Sequence, residues 1–146
     1  MAVTISIAEP DDAEALTEAL VGLVPQLSRS NPPPPLEAVR SMLAHEAITQ
    51  FLALDDAGTI VGVSTLAVFP IPTGSRAWIE DVIVDEASGG QGIGRRLTEA
   101  MVERARELGC KTVDLTSRPS REAANHLYKK VGFEVRDTNV YRYDLR

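Results

Sequence analysis

Ser88-Gly89-Gly90-Gln91-Gly92-Ile93-Gly94-Arg95-Arg96-Leu97 holds four glycines within six residues. Ahead of it runs Trp78-Ile79-Glu80-Asp81-Val82-Ile83-Val84, which reads as a strand rich in β-branched residues. Behind it, from Gly92 to Leu108, Ile93, Leu97, Met101, Ala105 and Leu108 recur at helical spacing with charges on the opposite side. Strand, glycine loop and helix, in that order, aim backbone N–H groups at an anion, usually a phosphate. Which phosphate compound binds there decides the chemistry.

Two familiar phosphate loops fail on the residues. A P-loop needs Lys and then Ser or Thr after its last glycine, and Gly94 is followed by Arg95-Arg96. A dinucleotide loop needs G-x-G-x-x-G early in a parallel sheet. Gly90-x-Gly92-x-Gly94 has another spacing and follows three strand patterns in succession. A glycine-rich turn of purely structural origin is the remaining reading of the loop by itself.

Outward from the loop, the elements fall into an α+β order. Residues 3–7 alternate as a first strand, and Pro10-Asp11-Asp12 opens a helix with Ala13, Leu16, Leu20 and Leu23 on its apolar face. Residues 25–35, with Pro25 and four consecutive prolines from Pro32, are expected to be extended loop, either a lid over a substrate or a stiff connector. A second helix is expected over 36–47. Strands 50–54 and 60–69 form a hairpin around Asp55-Asp56-Ala57-Gly58, and a turn at 70–74 leads into strand 76–84. After the long helix come a short strand at 112–115, a helix capped by Ser120 and ended by Gly132, and two closing strands at 133–136 and 140–145. The sum is a mixed, mostly antiparallel central sheet with helices on both faces, in a single domain over residues 1–146.

Composition narrows the function. The chain of 146 residues is 44% hydrophobic and 25% charged, as expected for a soluble globular domain. Its apolar runs are too short to span a bilayer, and its first residues show no export signal, so a cytoplasmic location without membrane association is expected. The net charge of −6, with no basic stripe, argues against a nucleic-acid partner and suits a cationic substrate. Cys110 is the sole cysteine and reads as a small buried residue rather than a nucleophile. His45 and His126 lack metal-ligand spacing, and no metal site is expected.

Two blocks of sequence together suggest a family. Residues Val84 to Leu97, with Gly89-Gly90-Gln91-Gly92-Ile93-Gly94 at their centre, resemble the acetyl-CoA signature Q/R-x-x-G-x-G/A of the GNAT superfamily of N-acetyltransferases. Ala124-Asn125-His126-Leu127-Tyr128-Lys129-Lys130-Val131-Gly132-Phe133 resembles that family's A-x-x-L-Y-x-K-x-G-F, in the expected order. Gly89 stands where the family has Gln or Arg, which removes one side-chain contact near the diphosphate. Arg121 stands where the family often has Asn, and it either reaches a phosphate or is a solvated residue.

The resemblance implies direct transfer of an acetyl group from acetyl-CoA to an amine. The coenzyme would be held by Val82, Ile83 and Val84, by Gly89 to Arg95, and by Ala124, Leu127 and Lys130. Lys129 opposes the helix dipole. Glu80 and Asp81 interrupt an apolar strand, and a straight strand would place them on opposite faces. Buried strand acids are rare unless paired or functional. In family members acting on polyamines and amino sugars, the matching Glu is implicated in amine deprotonation and the Asp in holding the amine. Glu80 is thus expected to be the base and Asp81 the substrate-binding acid, with an ordinary salt-bridged pair as the alternative. The N–H of Val82 or its neighbour would meet the oxyanion. Tyr128 would protonate the departing thiolate, or else serve as a core tyrosine. A small primary amine is the expected acceptor, with a protein N-terminus or lysine as the alternative and a non-catalytic acyl-CoA-binding domain as a further reading. A homodimer is an assembly the resemblance allows.

Overall fold

The computed structural model describes residues 2–146. Nine principal elements follow one another along the chain: β1 (Thr4–Ile7), α1 (Ala13–Leu27), α2 (Leu36–Ala44), β2 (Ile48–Leu54), β3 (Ile60–Ile71), β4 (Gly74–Val84), α3 (Ile93–Glu107), β5 (Thr112–Asp114) and α4 (Glu122–Val131). The sheet order is β1-β2-β3-β4-β5, antiparallel as far as β4 and parallel between β4 and β5. This is the mixed, mostly antiparallel α+β arrangement expected.

Alternation along the central strands supplies two cores. Phe51, Leu66, Ala77 and Ile79 face α3, where Ile93, Leu97, Met101 and Ala105 form the buried stripe. Leu52, Val63 and Ile83 face the other way, onto Leu16, Leu20 and Leu23 of α1 and Val39 of α2. Burying a side chain of this size contributes roughly 1.5–3 kcal/mol, so these two layers hold the sheet between its helices. Leu108 lies beyond the end of α3 and is exposed rather than part of the stripe. Arg96, on the outer side of α3, donates to the Val3 carbonyl and ties the helix to the start of β1. Among the described residues, no helix is long and apolar enough to cross a membrane.

Three expectations need correction. Pro25 does not end α1, which continues to Leu27. Proline removes one backbone donor, but only the last turn lies beyond it, and the Ser28 N–H still reaches the Val24 carbonyl at 2.9 Å. Ser120 does not cap α4; Arg121 holds that position without a side-chain cap. The closing strands at 133–136 and 140–145 are absent, and residues 134–146 run as exposed chain. Alternation favours a strand, but a strand exists only beside a ladder partner. Among the described residues that segment has none.

Candidate active site

The glycine loop is built to leave donors free. A 3-10 turn over Glu86–Ser88 is capped by Asp85, whose carboxylate accepts the Ala87 N–H at 3.2 Å. The Gly89 N–H is donated to the Glu86 carbonyl at 3.2 Å, so Gly89 contributes no amide to a ligand. Gly90 and Gly92 then take φ of 81° and 70°, a region costly to most L-residues. Gly92 is the N-cap of α3, and no side chain caps it. Among the described residues, the N–H groups from Gly90 to Arg95 find no backbone or side-chain acceptor. A run of unsatisfied amides at the positive end of a 15-residue helix is an anion cradle. The Arg95 side chain turns to Glu99 at 3.5 Å and leaves its amide exposed.

Gly94 is where three elements meet. A Cβ there would stand 3.4 Å from Leu127 Cδ1 and 3.7 Å from Val84 Cγ2. β4, α3 and α4 therefore converge at the loop, where Val84, Gly94 and Leu127 come together. Ile93 is buried beneath the loop in the α3-side core.

The β4 edge opens toward this junction. β5 pairs with Arg76, Ala77 and Trp78 and no further. From Ile79 to Val84 the β4 edge has no ladder neighbour on that side, which leaves main-chain groups for an extended acyl-amide chain. On the other side, Thr65 pairs with Glu80 and Val63 with Ile83, so Ser64 alone faces both Asp81 and Val82. This is a β-bulge. Asp81 occupies it with φ 48°, a left-handed conformation that Asp tolerates better than most residues.

The bulge changes the reading of both acids. Alternation breaks at Asp81 and Val82, which together oppose Ser64, and both acids are exposed rather than buried. Glu80 shares its face with Trp78, whose Nε1 donates to Glu80 Oε1 at 2.9 Å. Neither acid has a cationic partner among the described ion pairs. Asp81 keeps solvent contact, yet the protein packed around its carboxyl raises its pKa above the ordinary 3.8, and the Glu80 charge pushes the same way. The folded chain thus holds this proton more tightly than the unfolded chain. The stability this contributes is present below pH 3.8 and is lost as pH rises through the folded value. Asp81→Asn keeps a residue that accepts the left-handed conformation and removes the charge. It should melt about 2 °C above the parent at pH 7, a gap of a few tenths of a kcal/mol. The gap should close as the pH is lowered toward 4; thermal melts showing no such convergence would contradict this.

Tyr128 sits half-buried on α4. Its ring meets Phe133 edge to face at 5.9 Å, and its carbonyl accepts the Phe133 N–H at 2.9 Å. Burial raises the phenol above its ordinary 10.0, and the nearby Arg121 charge opposes the rise. Ala124 and Leu127 are half-buried on the same helix, while Lys130 is exposed in its last turn. Burial raises the Cys110 thiol, consistent with a protonated packing residue. No cluster of metal-ligating side chains occurs among the described residues.

One supporting residue escaped the sequence reading. Gln26, in the last turn of α1, accepts the Glu86 N–H at 2.9 Å and donates to Asp85 Oδ1 at 3.3 Å. It clamps the entrance of the glycine loop from 59 residues away in sequence. Beyond it, Ser28 to Pro33 and Glu86 line an open cleft of about 720 Å³, so the proline loop borders the site.

Residues 17–133 match the family described as Acetyltransferase (GNAT) family. Among curated proteins, the chain is 31% identical over 145 residues to glucosamine 6-phosphate N-acetyltransferase 1 of Oryza sativa subsp. japonica, covering 92% of this chain and 84% of that protein. It is 35% identical over 89 residues to mycothiol acetyltransferase of Propionibacterium freudenreichii subsp. shermanii, covering 61% of this chain but 28% of that longer protein. Among solved structures, a Trypanosoma brucei acetyltransferase superposes with a TM-score of 0.78 at 27% identity, over 99% of this chain and 100% of the other.

Proposed function

The chain belongs to the GNAT acetyltransferase family and is an acetyl-CoA-dependent acyltransferase, and from that premise we propose that it transfers the acetyl group directly to a small primary amine. The observation that carries this reading is the convergence at Gly94 of the free amides from Gly90 to Arg95 with the unpaired β4 edge that bears Glu80. The amides take the diphosphate of the cosubstrate, and the β4 edge takes its pantetheine amides. The thioester is thereby aimed along β4, and alignment of the two reactants supplies much of the acceleration.

Glu80 then accepts a proton from the ammonium group of the acceptor, directly or through water. The freed amine attacks the thioester carbonyl carbon. The Val82 N–H donates to the oxyanion that forms. Tyr128 gives its proton to the sulfur as the C–S bond breaks, the nitrogen releases its second proton to water to become the amide, and Tyr128 is reprotonated from solvent. Asp81, beside Glu80 and without a cationic partner of its own, holds the positive charge of the acceptor. Two adjacent unpaired acids and a net charge of −6 suit a cationic small molecule better than an acidic peptide. The rice relative acts on an amino sugar phosphate, whose phosphate makes it anionic overall, so glucosamine 6-phosphate is tried on the strength of that likeness and the polyamines on the strength of the charge.

The test is thiol release from acetyl-CoA against a panel of glucosamine 6-phosphate, other amino sugars, polyamines, and peptides with a free N-terminus or lysine. Turnover with one small amine, well above the peptides, is the expected result. Turnover restricted to peptides would transfer the reading to protein acetylation. Thermal stabilisation by acetyl-CoA with no thiol released on any amine would end the catalytic proposal.

A further inference from the structure

A row of polar side chains crosses the sheet beside the proposed base. Gln50 of β2 lies opposite Thr65 of β3, and Thr65 lies opposite Glu80 of β4. Directly opposed residues share a face of the sheet, so these side chains stand next to one another. Burial falls along the row: Gln50 is 4% exposed, Thr65 is half-buried and Glu80 is exposed. A buried glutamine is costly unless its amide is satisfied, and this one is. Its Nε2 donates to the Ser64 carbonyl at 2.9 Å and to the Phe51 carbonyl at 3.4 Å. Only the nitrogen end of an amide can meet carbonyl oxygens, so Oε1 is the end that faces Thr65. That oxygen accepts, which makes the Thr65 hydroxyl the donor, at 2.8 Å. Its one proton is thereby spent, and what Thr65 presents beside Glu80 is a lone pair. The Trp78 indole donates to Glu80, and no donor among the described residues is bonded to Thr65 Oγ1.

We infer, on the basis of the small-amine reading above, that Thr65 is a binding residue for the acceptor: its Oγ1 receives an N–H of the incoming ammonium group. Gln50 is the positioning residue that keeps this oxygen a pure hydrogen-bond acceptor. Glu80 and Asp81 attract a cation, but charge has little direction. A hydroxyl with its rotor locked does have direction. One N–H held by Thr65 while Glu80 removes another restricts rotation of the amine at the moment its lone pair must face the thioester. The same oxygen selects a substrate class. An ammonium group brings the donor that the lone pair lacks, whereas a group with no hydrogen to give leaves the oxygen unpaired against it, which is penalised. Gln50 matters because a threonine rotor free to turn would offer its proton to the Glu80 carboxylate opposite. Anchored on two backbone carbonyls, Gln50 draws that proton the other way.

The test is steady-state kinetics of the full chain, with glucosamine 6-phosphate, glucosamine and spermidine as separate acceptors. Thr65→Val keeps the shape and loses the oxygen. It should raise KM for the amine that turns over by about 10-fold or more, as for a lost hydrogen bond to a charged group, with kcat within about threefold and KM for acetyl-CoA within about twofold. Thr65→Ser restores the hydroxyl and should bring the amine KM back to within about threefold of the parent. Gln50→Met fills similar space and frees the rotor, and should raise the amine KM by about three- to fivefold. Thermal melts identify the folded variants, and the two Thr65 variants decide the matter whether or not Gln50→Met folds. A Thr65 that serves packing alone would move the melt of Thr65→Val and not its amine KM. Thr65→Val at the parental amine KM, Thr65→Ser no better than valine, or a folded Gln50→Met indistinguishable from the parent would each overturn the inference alone. A parent inactive on all of these acceptors would instead remove the small-amine reading, and this inference with it.

Discussion

Gly92→Asp is expected to lower acetyl-CoA affinity at least about 100-fold while the fold melts where the parent does, with Gly92→Asn falling in between at about 10-fold. Gly92 is the N-cap of α3 at φ 70°, and a Cβ added there meets nothing within 4 Å. Asp and Asn are the non-glycine residues that best accept this conformation, and both are good N-caps. Either side chain would accept the amides of Gly94 or Arg95, which the proposed site offers to the diphosphate. That competition is common to both variants. Asp alone adds a negative charge facing the ligand. At about 5 Å and an effective dielectric of 20–40, the repulsion is roughly 2–3 kcal/mol per ligand charge. The difference between Asp and Asn therefore isolates electrostatics from cap formation, and the melting temperature separates both from misfolding. Calorimetric titration decides the matter: Asp binding as tightly as the parent would remove the diphosphate from this loop.

The same loop was the most legible part of the chain because its information is local. Glycine spacing, a strand before it and a helical stripe after it lie within about 30 consecutive residues, and each constrains the others. Residues whose roles depend on distant partners were less legible. Ile79-Glu80-Asp81-Val82 reads as straight strand, and the bulge appears only because Ser64 of β3 faces two residues of β4. An aspartate in mid-strand was the available signal, since Asp tolerates left-handed backbone. Gln26 offered no signal, because its partners Asp85 and Glu86 are far away in sequence. Pro25 reads as a stop in the sequence, yet α1 runs on to Leu27, because a proline near the end of a helix costs little beyond one hydrogen bond. The alternation after Phe133 predicts strands that do not form, because pairing is a property of what lies alongside, and among the described residues nothing pairs with that segment.

Tyr128→Phe should reduce kcat about 100-fold or more and leave the acetyl-CoA dissociation constant within about twofold, the signature of a lost proton donor. Phenylalanine keeps the ring that meets Phe133 at 5.9 Å and the backbone that receives the Phe133 N–H, so α4 and its contact with the loop persist. Only the hydroxyl is removed. Burial lifts this phenol above 10.0, whereas a free thiol titrates near about 8.5. Complete proton transfer to a departed thiolate is thus uphill, and donation helps only while the C–S bond is breaking and the hydroxyl is close to the sulfur. Arg121 eases it, since its charge stabilises the phenolate and lowers the pKa that burial raised. The same shift predicts the pH profile. The acid must be protonated, and a phenol raised above 10.0 stays so through the working range, so Tyr128 itself causes no fall in parent kcat below about pH 10. Steady-state kinetics with a thiol readout, paired with binding by calorimetry, separate the outcomes. Unchanged turnover would leave Tyr128 as packing. Equal losses in turnover and affinity would make it a binding residue, and the thiolate would then have to leave unprotonated, stabilised by the dipoles of the open β4 edge.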